Sequence, residues 1–499
     1  MLRFKMLCAL FFALTCSQAL ACNATLTKTW FDTQSALPQP HLVIPAGQIL
    51  LAHELALKPG TRVSGPGTVC VPKGARYGFR IQQRVINNQH RGSSDIIIDN
   101  LRFQHENAAP TAQGMICTIA IDPGAQDIRI TNSSFNGNRA HSVICGPSSP
   151  DGIARGPSVD YLHIANSTFH GTIRPLLLDN IANFTIRGNV IRHAGREGIK
   201  MRYNAGHGII SDNLFHDIGK NPGERASQDA IDTYWSGQRL LITNNIIRRT
   251  ASHGLDIKGI SDDGASGSRS VIIANNHFSE TGASGITLSG LGGLYLLDED
   301  GNPLVNDDDS AQQIEFTGTP NHSILIQGNI IENGNRFGTR AHAGIYAFSG
   351  NLRHITIADN FITNHRGHGI YLKTRGGRPD QTVAFTRITG NSILNSGEPG
   401  SRNGIGIYMQ GASQMMIVDN TIGNDPALAM EFTGEDFTDA LRMGTGMLIS
   451  PIYAMEQANI ITRNMIFCTP RAAIRYTDGA SNNVDFLGDN LVVPMDCEP

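Results

Sequence analysis

Between Glu197 and Lys258 the chain places its ionisable side chains at matching points of three short segments. These are Gly198-Ile-Lys200-Met-Arg202, Ala230-Ile-Asp232-Thr-Tyr234 and Gly254-Leu-Asp256-Ile-Lys258, preceded by Glu197, Asp229 and His253. Two chemistries suit such a set. Paired carboxylates, here Asp232 and Asp256, can divide the acid and base work of hydrolysis. Alternatively, Lys258 or Tyr234 can remove a carbon-bound proton while Lys200 and Arg202 neutralise the charge that develops, since neighbouring cations favour an amine or a phenolate. Asp229, Asp232 and Asp256 together offer oxygen ligands for a calcium ion. His253 joins the catalytic candidates, and Trp235, one of only two tryptophans, is placed to stack on a ring.

The elements that must position these residues follow from alternation. Apolar residues at every second position signal a strand with one buried face. The same five-residue pattern recurs at Gly285-Ile-Thr-Leu-Ser289, Gly344-Ile-Tyr-Ala-Phe348, Gly369-Ile-Tyr-Leu-Lys373 and Gly406-Ile-Tyr-Met-Gln410. Between the copies runs a second frame, [Ile/Leu]-x-x-Asn-x-[apolar], with Asn at 189, 213, 245, 276, 329, 360, 391, 420, 464 and 490, most often 29–32 residues apart. Strand units at a fixed period imply a solenoid whose turns bury their apolar edges against one another. We therefore expect an all-β right-handed parallel β-helix, with each Asn stacked at a bend. Equivalent outward positions then form rows. One row reads Lys200, Asp232, Asp256, Thr287, Tyr346, Tyr371, Tyr408. The next reads Arg202, Tyr234, Lys258, Ser289, Phe348, Lys373, Gln410.

A plainer account of the charged rungs is a solvated face, because Lys beside Asp is what ion pairing across strands produces. Against it, the same rows farther along carry Thr, Ser, Tyr and Gln, so charge is concentrated rather than spread. Concentration of acids and bases is what a catalytic site needs. The Tyr346, Tyr371, Tyr408 row reads as a stacked ladder whose rings could also line a sugar groove. His207, in a Gly-His-Gly setting, belongs to the repeat frame and reads as structural.

Composition agrees with this architecture. With 54 Gly, 40% hydrophobic and 17% charged residues in 499, the chain is neither disordered nor helical. A formal charge of −3 argues against a nucleic-acid partner. Residues 1–21 show a charged start, an apolar run from Met6 to Thr15 and Ala19-Leu-Ala21, as a secretory signal peptide does. The remainder, 22–499, reads as one monomeric β-helix domain with insertions near 290–322 and 423–445, no membrane span, and a secreted or periplasmic address. Six cysteines remain after the leader, and they allow fifteen pairings. The repeat frame favours Cys117–Cys145, and Cys468–Cys497 follows as a second expectation. Cys22 raises the question of a lipid anchor, but Ala19-Leu-Ala21 is a poor lipoprotein signal. Residues 23–40 are placed to cap the solenoid.

The entry segment from His41-Leu-Val-Ile-Pro-Ala-Gly47 to Leu57-Lys-Pro-Gly-Thr-Arg-Val-Ser-Gly65, with the Asn turns after it, resembles the right-handed parallel β-helix proteins of pectin lyase type over residues 40–493. That superfamily includes lyases, hydrolases, epimerases, tailspikes and accessory proteins. The resemblance implies an acidic polysaccharide as partner, lying along the stacked strands. Lys200, Trp235, Tyr346, Tyr371 and Lys373 would bind it. Polygalacturonases of the superfamily carry Asn-Thr-Asp, Asp-Asp, Gly-His-Gly and Arg-Ile-Lys on successive turns. Here His253-Gly254 and Ile257-Lys258 match the last two, with no Asp-Asp turn between. Periplasmic alginate C5-epimerases carry Asp-Pro-His-Asp-Arg where this chain has Asp232-Thr-Tyr-Trp-Ser236, which puts Tyr234 at the place of their catalytic His. The calcium-dependent lyases of the superfamily are similar in fold only. The expectation is a polysaccharide lyase acting by β-elimination, with hydrolysis by Asp232 and Asp256, C5-epimerisation, or non-catalytic polysaccharide binding as alternatives.

Overall fold

The computed structural model describes residues 22–493 except 73, 83–84, 87–88, 91–93, 107–116, 138–141, 148–156, 205, 220–227, 236–238, 259–268, 290–320, 337–341, 349–351, 375–382, 398–403, 426–442, 451–458, 470 and 478–483. The leader, most of both expected insertions and Cys497 lie outside these residues.

Alternation becomes strands that stack in register. Among the described residues, three parallel sheets of 15, 15 and 14 strands run the length of the chain, starting at His41–Val43, Ile49–Leu51 and Leu55–Leu57. Each turn adds one strand to each sheet, and every neighbour in a sheet comes from the next turn. The only antiparallel pair described is the small hairpin at Val85–Ile86 and Gln89–His90. The chain is a right-handed parallel β-helix, the hand that strand-crossover-strand connections take.

The core is built from the inward residues of all three sheets. Phe103, Phe135 and Phe169 stack face to face at 4.6 and 4.8 Å between ring centroids. Phe79 meets Phe103 edge-on, and Phe31 covers Phe79. Phe31 belongs to the helix Lys28–Ser35, the only helix described, which closes the N-terminal end as expected of residues 23–40. Two disulfides tie this end down. Cys117–Cys145 joins neighbouring turns of the third sheet, as the repeat frame implied. Cys22–Cys70 engages the thiol that had raised the lipid-anchor question. Cys468 is also in a disulfide.

Registration rests on the asparagines. From Asn189 to Asn490 the ten repeat residues form one unbroken ladder. The backbone N–H and side-chain amide of each donate to the Oδ1 of the next at 2.9–3.0 Å. Each amide also donates to a buried carbonyl on the preceding turn, such as Asn276 Nδ2 to Ile242 O at 3.0 Å. The left-handed backbone at each bend falls one residue before the Asn, at Asp212, Asn244, Asn275, Asp359, Asp419, Arg463 and Asp489, and at Gly188, Gly328 and Gly390. That residue makes the bend, which leaves the Asn side chain pointing inward, where its bonds are shielded from water.

The glycine that opens most third-sheet strands is required by close approach. At Gly254 a Cβ would run into the Phe278 ring and the carbonyl of Gly285 on the next turn.

Replacing Asn276 by Leu removes the acceptor of Asn245 N–H and the side-chain donor to Ile242 O at once, and leaves Asn329 Oδ1 with only the backbone N–H of residue 276. Leaving such buried groups unpaired costs about 1–3 kcal/mol each. We expect the variant to unfold in urea at clearly lower concentration than the native protein, whereas Asn490→Leu, at the less buried end of the ladder, should have the smaller effect.

Candidate functional site

Five consecutive strands of the third sheet set the site: Arg174–Asp179, Ile199–Asn204, Ile231–Trp235, Leu255–Lys258 and Ile286–Ser289. Their register reproduces both expected rows. Lys200, Asp232, Asp256, Thr287, Tyr346, Tyr371 and Tyr408 are successive partners, and so are Arg202, Tyr234, Lys258, Ser289, Phe348, Lys373 and Gln410. The rows differ from expectation in exposure. The first row is largely buried, because its members close over one another and are flanked by the residues preceding each strand. In the second row Arg202, Lys258, Phe348, Lys373 and Gln410 remain partly open, while Ser289 is buried.

Asp232 is the centre. Its side chain has 0% exposure, and Lys200 and Lys258 converge on it from the rungs on either side. Lys258 Nζ lies 2.7 Å from Asp232 Oδ1 and 2.9 Å from Asp256 Oδ2, and Lys200 Nζ pairs with Asp232 Oδ2. Burial pushes the Asp232 carboxyl up, but Lys258 and Lys200 together outweigh it and hold the group below the usual carboxylate range. Asp229, 1% exposed, goes the other way. Burial first, then the charges of Asp232 and Asp256, raise it well above that range, against the opposing pull of Lys258 and Ser252. Two acids three residues apart are thus driven in opposite directions.

The three carboxylates have ligand atoms within 4.8 Å of one another, a spacing at which they could hold a metal ion. Asp229 Oδ2 and Asp256 Oδ1 are buried without a hydrogen-bond partner among the described residues. Unsatisfied hard oxygens of this kind fit a divalent cation such as calcium, whose six to eight ligands water and substrate would have to complete.

His253 abuts this trio. Its backbone N–H donates to Asp229 Oδ1 at 2.8 Å, and its Nδ1 lies 3.2 Å from Ser284 N and 2.9 Å from Thr287 Oγ1. Burial lowers its pKa, with Asp256 opposing. Farther along the same corner stand His342, His365 and His368, with the His342 ring edge-on to His253 at 5.1 Å.

Other expected residues fall where the rows put them, with different partners. Arg202 makes a two-point bond to buried Asp179, at 3.1 Å from Nε and 2.6 Å from Nη2. Tyr346, Tyr371 and Tyr408 stack at 5.1 and 4.5 Å, so both faces of Tyr371 are taken by its neighbours, and its hydroxyl donates to Gln410. The ladder therefore offers ring edges and hydroxyls, not open faces. Lys373 lies three rungs beyond Lys258, about 14 Å away, and is not brought to the acid cluster. The side chains of Tyr234 and Trp235 lie outside the described residues. His207 sits exposed on the first sheet beside Asn183, away from the cluster.

Sequence reasoning placed Thr287 in its row without giving it a role, and missed Asp179, Ser284 and the ion pair of Glu197 with Arg174 at 2.8 Å. Extending the rows one rung toward the N-terminus would have found Asp179, directly beside Arg202 in the register.

A family model for a right-handed β-helix region matches residues 151–300, the stretch that contains every charged member of the cluster. By fold this is a right-handed parallel β-helix protein. No curated protein matches it in sequence. Several solved β-helix proteins are similar in structure. The mannuronan C-5 epimerase AlgE6 A-module of Azotobacter vinelandii is 12% identical, covering 94% of each chain with a TM-score of 0.42. The catalytic unit of a GH87 α-1,3-glucanase from Streptomyces thermodiastaticus is 13% identical, covering 95% of this chain and 71% of that one, TM-score 0.46. The family 28 exopolygalacturonase of Yersinia enterocolitica is 12% identical, covering 95% and 76%, TM-score 0.37. Likeness this slight carries no argument, and the chemistry of this β-helix is left to its own residues.

The buried histidines make a pH prediction. Burial above all holds His342 and His368 down to about 4 and His365 to about 3. The unfolded chain therefore takes up these protons first as pH falls. Their contribution is complete above about 6.5 and is lost progressively toward pH 4 and 3. Raised Asp229 acts with the opposite sign, so the histidine effect is read as a difference. His365→Gln should make the decline of melting temperature between pH 7 and 4.5 shallower than in the native protein.

Proposed function

We propose that this β-helix protein is an exported enzyme that cleaves an acidic, uronate-containing polysaccharide by β-elimination at the rungs carrying Lys200, Asp232 and Lys258. One observation carries the reading: of the clustered groups, the two lysines are more exposed than the carboxylates they pair with. The Lys258 and Lys200 side chains are 15% and 11% exposed, whereas Asp229 and Asp232 are closed off behind them. A sugar carboxylate approaching this sheet meets ammonium groups, as neutralisation before proton removal requires. The disulfides accord with an extracellular or periplasmic setting. Among the described residues no helix is long and apolar enough to cross a membrane.

In the reaction Lys258 passes a proton to Asp256, 2.9 Å away, and as the amine takes the proton from C5. The electron pair left on C5 forms the C4–C5 double bond, the bond from C4 to the glycosidic oxygen breaks, and the new ammonium returns its proton to that oxygen. Lys200 and Arg202, the latter held by Asp179, bind the substrate carboxylates. Calcium held by Asp229, Asp232 and Asp256 would add positive charge against the uronate carboxylate.

Hydrolysis is the second reading, favoured by the opposite shifts of Asp229 and Asp232, which form an acid and a carboxylate side by side. Their burial counts against it, because a proton donor must touch the glycosidic oxygen.

Purified protein incubated with a panel of uronate polymers should produce ultraviolet absorbance from unsaturated ends in step with new reducing ends. Lys258→Ala should lower the rate by about 10²–10⁴-fold while polymer still binds. Chelation should suppress the rate and calcium restore it. Reducing ends without absorbance would replace elimination by hydrolysis. Silence in both channels would leave an epimerase, read by exchange of the C5 proton, or a binding protein.

A further inference from the structure

The position of one proton can be read from the hydrogen bonds around His253. A backbone amide can only donate, and Ser284 N–H is directed at Nδ1 from 3.2 Å. Nδ1 must therefore keep its lone pair, and the ring proton of the neutral imidazole sits on Nε2. Thr287 Oγ1, 2.9 Å from the same nitrogen, can turn its hydroxyl hydrogen toward that lone pair. The backbone of His253 is anchored as well, since its N–H holds Asp229 Oδ1. The ring is half-buried, and the charges that act on it are Asp256, Lys258 and Asp232, so it lies against the reactive cluster.

We propose that His253 is a fixed hydrogen-bond donor to an oxygen of the bound sugar, through Nε2–H, and that Thr287 is the positioning residue that holds its ring. The identity of the ligand rests on the polysaccharide reading above; the tautomer does not. A side chain whose only lone pair is already engaged cannot serve as the base, which separates His253 from Lys258 in function. Thr287 lies in the same row as Asp256, one rung on, so a single row supplies both a charged member of the site and the residue that orients its neutral donor.

The test has two arms. Nitrogen-15 spectra of the imidazoles in the native protein, with His253 assigned by its loss in His253→Gln, should show a protonated Nε2 and an unprotonated Nδ1 without any ligand. A proton on Nδ1 overturns the proposal. Affinity for a uronate polymer is then measured in the Lys258→Ala background, so that turnover plays no part. His253→Phe, which has no donor, should weaken binding about tenfold, the worth of one good hydrogen bond. His253→Gln, which keeps an N–H, should recover most of that loss, and Thr287→Ser should bind as the parent does while Thr287→Val does not. Equal binding by His253→Phe and its parent overturns the donor role. A protein that binds polymer without cleaving it leaves this inference standing and removes the lyase reading. A protein that binds no polymer removes the lyase reading and the donor role together, and the spectra alone then decide the tautomer.

Discussion

Everything in this molecule depends on strict registration of one turn on the next. The side chains that meet around Asp232 are separated from it along the chain by 24–32 residues, yet Lys200 and Asp256 are its direct cross-strand partners and Lys258 stands two residues beyond Asp256. A slip by one residue in either strand would exchange outward and inward faces and pull Lys200 and Lys258 away from the carboxylate between them. The buried asparagine ladder resists such a slip. Each amide reads the position of the next turn through paired bonds to one oxygen, in a setting from which water is excluded. The stacked phenylalanines do the same work on the apolar side, with less directional precision.

On that scaffold the third sheet is divided along its length. The turns before Ser289 carry acids and cations whose charges nearly balance: Asp179 with Arg202, Glu197 with Arg174, and Asp232 between two lysines. The turns after it carry a tyrosine ladder and a histidine corner, all neutral. Buried charges are tolerated only where geometry pairs them, so the acid cluster exists because cations arrive from both adjacent turns. Where that pairing is incomplete, at Asp229 Oδ2 and Asp256 Oδ1, the site retains a demand for positive charge or for protons. A protein with no further role for these groups would be more stable with apolar residues there. Their retention supports our proposal that a ligand is met on this half of the sheet.

Legibility in the sequence was uneven for physical reasons. The fold could be read because period-2 alternation and a repeated Asn are local signals, and because identical repeats leave one sensible stacking. The same argument placed Lys200, Asp232 and Asp256 in one row, and Arg202 and Lys258 in the next. It failed on exposure. Alternation says which face a side chain leaves from, but whether that face is covered depends on the neighbours two rows and one turn away. Asp232 and Thr287 were therefore expected to point to solvent and are instead buried. Asp179 went unremarked because its strand has an almost continuous apolar run, Pro175-Leu-Leu-Leu178, and shows no alternation.

The amino-acid sequence by itself thus determined the solenoid, the position of the asparagine ladder, the Cys117–Cys145 bridge and the rows in which the reactive residues stand, since each follows from spacing along one chain. Only the tertiary structure decided how charge is shared among those residues. It made Asp232 the partner of two lysines, drove Asp229 in the opposite direction, tied Arg202 to Asp179 and brought Ser284 N–H and Thr287 Oγ1 to His253 Nδ1. Those outcomes turn on distances of 2.6–3.2 Å between groups on different turns. Electrostatic coupling and hydrogen-bond direction change steeply over such distances, whereas the sequence pattern specifies only which residues are neighbours.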